Sequence, residues 1–396
     1  MERKVVSFRL MLTLVIIASA LTATLVTLFF LFFDEVGLVE QDSDASRFYE
    51  VLDLIDSRFI GNYDLDDITD AAIRAAVASL DDQWSYFMTQ IEYEAFLETA
   101  DNTYAGIGVN VEPDDVYGGI RVTGVHRDSG AYTAGIVIGD IITAVDGESI
   151  AGFSFADVRA ALRRPIGDTA KLTVLRTDGE LHILTVLYSI VFIDPVSYEM
   201  LDGYIGYVQL RNFDVGSADR FILAVSNLIE QGAVAFVYDV RSNNGGRVNE
   251  ITKILDFLLP EGDIFVSINR TGVENVTVSD EHTIDLPAVV LVNSNSFSGA
   301  EFFAAMLSEF EYAYTVGEPT TGKNRMQSTI ALDNGGAVVL STGEYLTRNR
   351  VSLFDTGGFT PDFVIPLTSE EYREALTYGP DVSIDPQLEK AIYLLT

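Results

Sequence analysis

Three short segments hold the residue types that could carry chemistry. The first is Asn293-Ser294-Asn295-Ser296-Phe297-Ser298-Gly299-Ala300-Glu301, where an apolar run ends in small polar residues and passes straight into a helical pattern. A serine at a strand-to-helix junction has an exposed hydroxyl with free backbone N–H groups beside it. That suits a nucleophile whose oxyanion is bound by N–H donors; it also suits a plain helix cap. The second segment, Gly317-Glu318-Pro319-Thr320-Thr321-Gly322-Lys323-Asn324-Arg325-Met326-Gln327, sets one lysine in a glycine- and threonine-rich loop before a strand. Lysine accepts a proton from serine only when neutral, so burial must bring its pKa down from about 10.4. The Gln327 amide could hold that amine without adding charge. A surface loop lysine is the plainer alternative. The third segment, Asp239-Val240-Arg241-Ser242-Asn243-Asn244-Gly245-Gly246, closes an apolar strand at its C-terminal end, where open α/β sheets place their sites. Gly245-Gly246 can turn main-chain N–H groups toward a developing oxyanion, although alone the pair is only a turn.

Other chemistries are excluded by composition. There is no cysteine, so disulfides, thiol catalysis, Cys-ligated zinc and Fe–S clusters are ruled out. The three histidines, His126, His182 and His282, stand far apart and read as surface or packing residues. Neither a metal site nor a cofactor is expected. Lys plus Arg number 25 against 59 Asp plus Glu, a net charge of −34 that argues against nucleic-acid binding. With 48% hydrophobic and 21% charged residues, the chain can build real cores. Its 396 residues predict two to three domains.

The elements that must position these segments can be read from periodicity. Residues 204–210 and 233–240 are apolar strands around a helix at 217–231, with Phe221, Val225 and Leu228 on one face. Strand, helix and strand at this length predict a parallel crossover. A second unit follows, with a strand over 287–293 and a helix over 299–308. From Tyr104 to about 190 the texture is short β-like runs broken by glycine. Residues 46–80 look helical: Phe48, Val51, Leu52 and Ile55 form one apolar face, and Ile68, Ala72, Ala76 and Leu80 a second, with Asp66 or Asp67 as cap.

Leu10 to Phe33 is free of charged residues and long enough to cross a bilayer. Arg3, Lys4 and Arg9 precede it and five acids between Asp34 and Asp44 follow, which predicts an N-terminus inside and the body of the chain outside the cytoplasmic membrane. A signal peptide cleaved near Ala18-Ser19-Ala20 is the rival, but the apolar run continues well past that point. The expected organisation is a tail at 1–9, an anchor at 10–33 and a linker at 34–45.

Together the three segments resemble the C-terminal processing peptidases, or tail-specific proteases. The family patterns Asp-Leu-Arg-x-Asn-x-Gly-Gly, Asn-x-x-Ser-Ala-Ser-Ala-Ser-Glu and Gly-Glu-x-Thr-x-Gly-Lys-Gly-x-x-Gln match residues 239–246, 293–301 and 317–327 in order and spacing. Lys323 lies 25 residues after Ser298, the family separation, which selects Ser298 over Ser294 and Ser296. The resemblance implies Ser298 as nucleophile, Lys323 as general base, Gln327 as its orienting residue, and oxyanion donors at the Gly245-Gly246 turn and Gly299. Ser79-Leu80-Asp81-Asp82 with Ser85-Tyr86-Phe87, and Gly357-Gly358-Phe359-Thr360-Pro361-Asp362, are similar to flanking family motifs. Gly106-Ile107-Gly108 resembles a PDZ carboxylate-binding loop, followed in order by PDZ-like turns at 129–136 and 139–147 and a groove helix at 156–162.

The implied architecture is a multidomain α/β protein with an N-terminal transmembrane helix. It adds a helical N-terminal region at 46–102, a β-rich PDZ domain at 103–190 and a crotonase-like serine protease core at 191–396. The implied partners are proteins or peptides with free C-termini. Helical N-terminal regions in this family often dimerise, so residues 46–80 are either a homodimer contact or a helix packed on its own core. Three positions depart from the pattern: Phe297 replaces a small residue, Gly299-Ala300 replace Ala-Ser, and Asn324 replaces glycine. None removes a catalytic group. The alternative from another class is a membrane-tethered PDZ scaffold that binds C-termini without cutting; it gives no reason for Ser298, Lys323 and Gln327 to stand in register.

Overall fold

The computed structural model describes residues 43–114, 116–154, 157–158, 161–368, 370–371 and 379–396. The expected tail, anchor and most of the linker lie outside the described residues, as does part of the groove helix expected at 156–162. Among the described residues, no helix is long and apolar enough to cross a membrane.

The chain divides into two bodies, residues 1–69 and 70–396. The first contains α1 (Ser43–Arg58) and the start of α2 (Leu65–Ala78). Phe48 and Val51 of the expected apolar face are exposed. The cap of α2 differs from expectation. Asp66 and Asp67 sit inside the first turn, where they favour the positive end of the helix dipole, and Asp64 Oδ1 accepts the Asp66 N–H at 2.8 Å.

The larger body begins within α2, at Asp70, and continues with β1 (Tyr86–Met88) and α3 (Gln90–Ala100). Thr89 and Glu92 form a capping box at the start of α3. A glycine-punctuated β module follows: β2 (Thr103–Gly106), β3 (Val109–Asp114), β4 (Gly119–Val125), α4 (Gly130–Thr133), β5 (Ile141–Val145), β6 (Glu148–Ser149), β7 (Thr169–Leu175), β8 (Leu181–Leu187) and β9 (Ser189–Phe192). Its main sheet runs β3-β4-β5-β7-β8, so β3 is an edge. Ile120, Val122, Ile142, Leu172, Val174 and Val186 alternate inward and form its core.

The rest is β10 (Val196–Leu201), β11 (Ile205–Leu210), α5 (Ser217–Glu230), β12 (Ala235–Asp239), α6 (Val248–Leu258), β13 (Gly262–Asn269), β14 (Glu274–Ser279), β15 (Ala288–Val292), α7 (Gly299–Glu309), β16 (Ala313–Gly317), β17 (Arg325–Ala331), β18 (Ala337–Leu346), β19 (Phe363–Val364) and α8 (Pro386–Leu395). The sheet β10-β11-β12-β15-β16-β19 is parallel except for β10. Every residue of β12 and β15 is buried, as a two-sided parallel sheet requires. Side chains of α5, α6 and α7 fill one face and α8 covers the other. Both crossovers expected from periodicity are present. A second, antiparallel sheet carries β1, β13, β14, β17 and β18.

A buried ionic clamp ties the end of β12 to α8. The Arg241 guanidinium forks onto the Asp239 carboxylate at 2.6–3.0 Å, and its Nη1 reaches Asp385 at 2.8 Å and Gln387 Oε1 at 3.1 Å. Burial alone would lower the Arg241 pKa, but the Asp239 charge more than offsets it, so the clamp stays ionised. Arg241→Ala would leave two carboxylates buried without a counterion. It is expected to destabilise the protein by about 3–5 kcal/mol, read as a lower midpoint in chemical denaturation.

Candidate active site

The three segments meet in one cleft of about 890 Å³, lined by Ser298, Lys323, Gln327, Gly246 and Gly299 among mainly apolar and aromatic side chains. None of the histidines lines it. The three serines before α7 differ in what their hydroxyls do. Ser296 is fully buried and donates to the Val240 carbonyl at 2.8 Å while accepting the Asn293 N–H at 3.0 Å. With Asn293 Oδ1, which accepts the Ser242 N–H at 2.9 Å, it holds the ends of β12 and β15 together. Ser294 is exposed and points to Glu318. Ser298 alone faces the cleft.

Ser298 has φ +55° and ψ −118°, a conformation L-residues rarely adopt. Such strain persists only where surrounding bonds over-determine it. Here Glu301, one turn into α7 and fully buried, supplies them. Its Oε1 accepts the Ser298 N–H at 2.8 Å and the Lys323 N–H at 2.7 Å. Its Oε2 accepts the Thr320 hydroxyl at 2.7 Å and the Gly322 N–H at 2.8 Å. All four acceptor positions of the carboxylate are filled, and the serine and lysine backbones are fixed to one group. The Ser-x-x-Glu spacing at 298–301 is the capping-box signature, so a sequence signal for Glu301 existed.

The Gly245-Gly246 turn follows from Asn243, whose amide donates to the Leu210 carbonyl at 2.8 Å and whose Oδ1 accepts the Gly245 N–H at 2.8 Å. Gly245 N–H is therefore engaged, which corrects its expected place as a donor; no hydrogen bond holds the N–H of Gly246 or Gly299 among the described residues. Gly245 serves by being small. A Cβ there would lie 2.7 Å from Gly299 N, and one on Gly246, at φ +154°, would lie 2.3 Å from the Phe213 carbonyl carbon.

The lysine amine is not hydrogen-bonded to Ser298 or Gln327 among the described residues. Its Nζ lies 4.3 Å from the centre of the Trp84 ring and 6.0 Å from that of Phe297. Burial lowers its pKa, opposed by the charges of Glu301 and Asp82. The Gln327 amide donates instead to the Arg325 carbonyl at 2.9 Å and Ser341 Oγ at 3.3 Å. Tyr345, missed in the sequence, donates its hydroxyl to the Lys323 carbonyl and has the Ser298 hydroxyl as a hydrogen-bonding neighbour. Burial pushes its phenol pKa well up.

In the β module, Ile107 and Gly108 lie between β2 and β3. Their carbonyls accept from Ala131 N at 2.8 Å and His126 N at 2.9 Å, and Gly108 takes φ +85°. Gly106 packs against the Tyr104 ring.

Fold and site thus define a serine peptidase with an appended PDZ module. A profile for peptidase family S41 matches residues 204–365 and one for the PDZ domain matches 121–176. The carboxyl-terminal-processing protease of Picosynechococcus sp. is 30% identical over 336 residues, 82% of this chain and 78% of that protein. The carboxy-terminal processing protease CtpA of Bacillus subtilis is 29% identical over 402 residues, 99% of this chain and 86% of the relative. A solved S41-type structure from Bacteroides fragilis shares the fold, with TM-score 0.56 and 18% identity over 85% of this chain and 92% of that one. The chain belongs to peptidase family S41, among the carboxyl-terminal processing serine proteases.

Asp214 also lines the cleft. Burial raises its pKa from 3.8 to about 6, with Arg247 opposing and Asp101 and Glu250 adding to the rise. A carboxyl whose folded pKa is raised carries no penalty below pH ~4 and its full penalty above pH ~6. Asp214→Asn is therefore expected to stabilise by about 1–2 kcal/mol at pH 8, after discounting for partial exposure, and to change little at pH ~4. Paired thermal melts at the two pH values check this.

Proposed function

We propose that the protein is a membrane-anchored endopeptidase that cleaves exported proteins near their C-termini by a Ser298–Lys323 dyad, after its PDZ module has captured the substrate's C-terminus. The observation that carries the dyad is the Glu301 carboxylate, which pins the Ser298 and Lys323 backbones in one cleft where burial lowers the lysine pKa. With the backbones held, the proposed chemistry requires the Lys323 side chain to turn from the Trp84 ring toward the serine. Neutral Nζ then takes the Ser298 proton as Oγ attacks the scissile carbonyl, and the Gly246 and Gly299 N–H groups receive the oxyanion. Collapse breaks the C–N bond, and the ammonium returns the proton to the leaving amine. Water, deprotonated by the same lysine, hydrolyses the acyl-enzyme. Gln327 orients the amine once it leaves Trp84.

Capture is supported by the edge position of β3 and the turn at Ile107-Gly108. A peptide adds as a strand beside β3 with its terminal carboxylate at the Gly106-Ile107-Gly108 loop. The segment 10–33 anchors the chain with its catalytic part outside the cytoplasmic membrane.

Incubation of the full-length protein with an unfolded protein should give fragments that Ser298→Ala abolishes. Lys323→Arg should be inactive too, because a guanidinium stays charged to above pH ~12. Replacing His126, His182 and His282 together should leave cleavage intact; a folded but dead histidine-free variant would overturn the dyad.

Amidating a substrate's C-terminus removes charged hydrogen bonds worth roughly 1.5–3 kcal/mol each. Binding should weaken about 10- to 150-fold, seen as a raised KM. Equal cleavage of acid and amide would remove the capture step.

A further inference from the structure

The Lys323 side chain occupies a place the proposed chemistry does not use. Its backbone is held at both ends, the N–H by Glu301 at 2.7 Å and the carbonyl by the Tyr345 hydroxyl. Its amine meets the face of Trp84 at 4.3 Å, inside the range of an ammonium–indole attraction. The Phe297 ring lies 6.0 Å from Trp84 at 31° and is also 6.0 Å from the amine. Phe297 is one of this chain's departures from the family pattern, so the second ring is a feature of this sequence.

Trp84 is itself tightly placed. Its backbone N–H donates to Asp82 Oδ1 at 3.3 Å, Ser85 Oγ donates to Asp82 Oδ2 at 2.6 Å, and Ser341 N–H donates to Ser85 Oγ at 3.0 Å. The pairing of β1 with β18 fixes the following residues. The loop before β1 thus delivers an indole to the cleft wall, against the lysine amine.

We infer that the Trp84 face, with Phe297 beside it, is a resting seat for the protonated Lys323 side chain, and that leaving this seat brings the amine to Ser298. The inference rests on the dyad reading and makes Trp84 a positioning residue. The rings attract the charged amine and not the neutral one, so the seat holds Lys323 in the form that cannot act as base. The other charged and titratable groups around the amine are Glu301 from α7, Asp82 from the loop before β1, Tyr345 from β18 and Arg325 from β17, with Arg247 and Asp214 in the same cleft. Glu301 and Asp82 also favour the ammonium, and burial opposes it.

Trp84 is the only tryptophan, so growth on fluorinated tryptophans alters this ring alone while nearly keeping its shape. Each added fluorine weakens the attraction for a cation. The acidic limb of the kcat/KM profile, measured with an unstructured fluorogenic peptide ending in a free carboxylate, should move to lower pH through the series. The total displacement should be about 0.4–1.5 pH units, or ~3- to 30-fold in rate at a fixed pH on that limb. A limb that stays in place, or moves upward, overturns the seat. Intrinsic fluorescence gives a second reading that needs no turnover. Wild-type emission should titrate with the midpoint of the kinetic limb, and Lys323→Met should abolish that titration. Emission that titrates unchanged in Lys323→Met overturns the seat, whereas a Lys323→Met variant that still cleaves overturns the dyad beneath it.

Discussion

One buried carboxylate organises the cleft that holds Ser298 and Lys323. Glu301 accepts four hydrogen bonds from the backbones of Ser298, Gly322 and Lys323 and the hydroxyl of Thr320. A carboxylate taken out of water is tolerated only when its lone pairs are filled, and here the donors are the parts of the site that must be placed. The same bonds hold Ser298 in a rarely populated conformation at the start of α7. They also set the loop that carries the lysine, so an error in one element would propagate to both Ser298 and Lys323.

Around this centre side-chain hydrogen bonds tie the strand ends together. The ends of β12 and β15 are joined by Asn293 and Ser296, and Asn243 shapes the glycine turn facing Ser298. Arg241 ties β12 to α8 on the far side of the sheet. Against this frame the lysine amine, among the described residues, meets the Trp84 and Phe297 rings and makes no hydrogen bond. On the proposed function, donors held this way need no rearrangement to stabilise an oxyanion.

The parallel sheet was legible because buried strands and one-sided helices carry strong local patterns. The helix at 217–230 and the strand at 288–292 fall within a residue or two of their expected ends. The antiparallel sheet was not, because its partners are remote in sequence: Tyr86 pairs with Val339. No local period reports such pairing, and β1 is only three residues long. The cap of α2 was misplaced by two or three residues because several acids in a row offer the same signal.

The sequence alone determined the order and spacing of the segments that carry Ser298 and Lys323, since these are properties of the chain. It also determined the glycines at 245 and 246, whose backbone positions leave no room for a Cβ. Only the tertiary structure decided that Gly245 N–H is engaged by Asn243, that Glu301 joins the Ser298 and Lys323 segments, and that Trp84 faces the lysine amine. The physical reason is common to all three. Hydrogen-bond partners and ring contacts depend on distances set by packing, and residues as far apart as 84 and 323 acquire a distance only when β1 docks on β18.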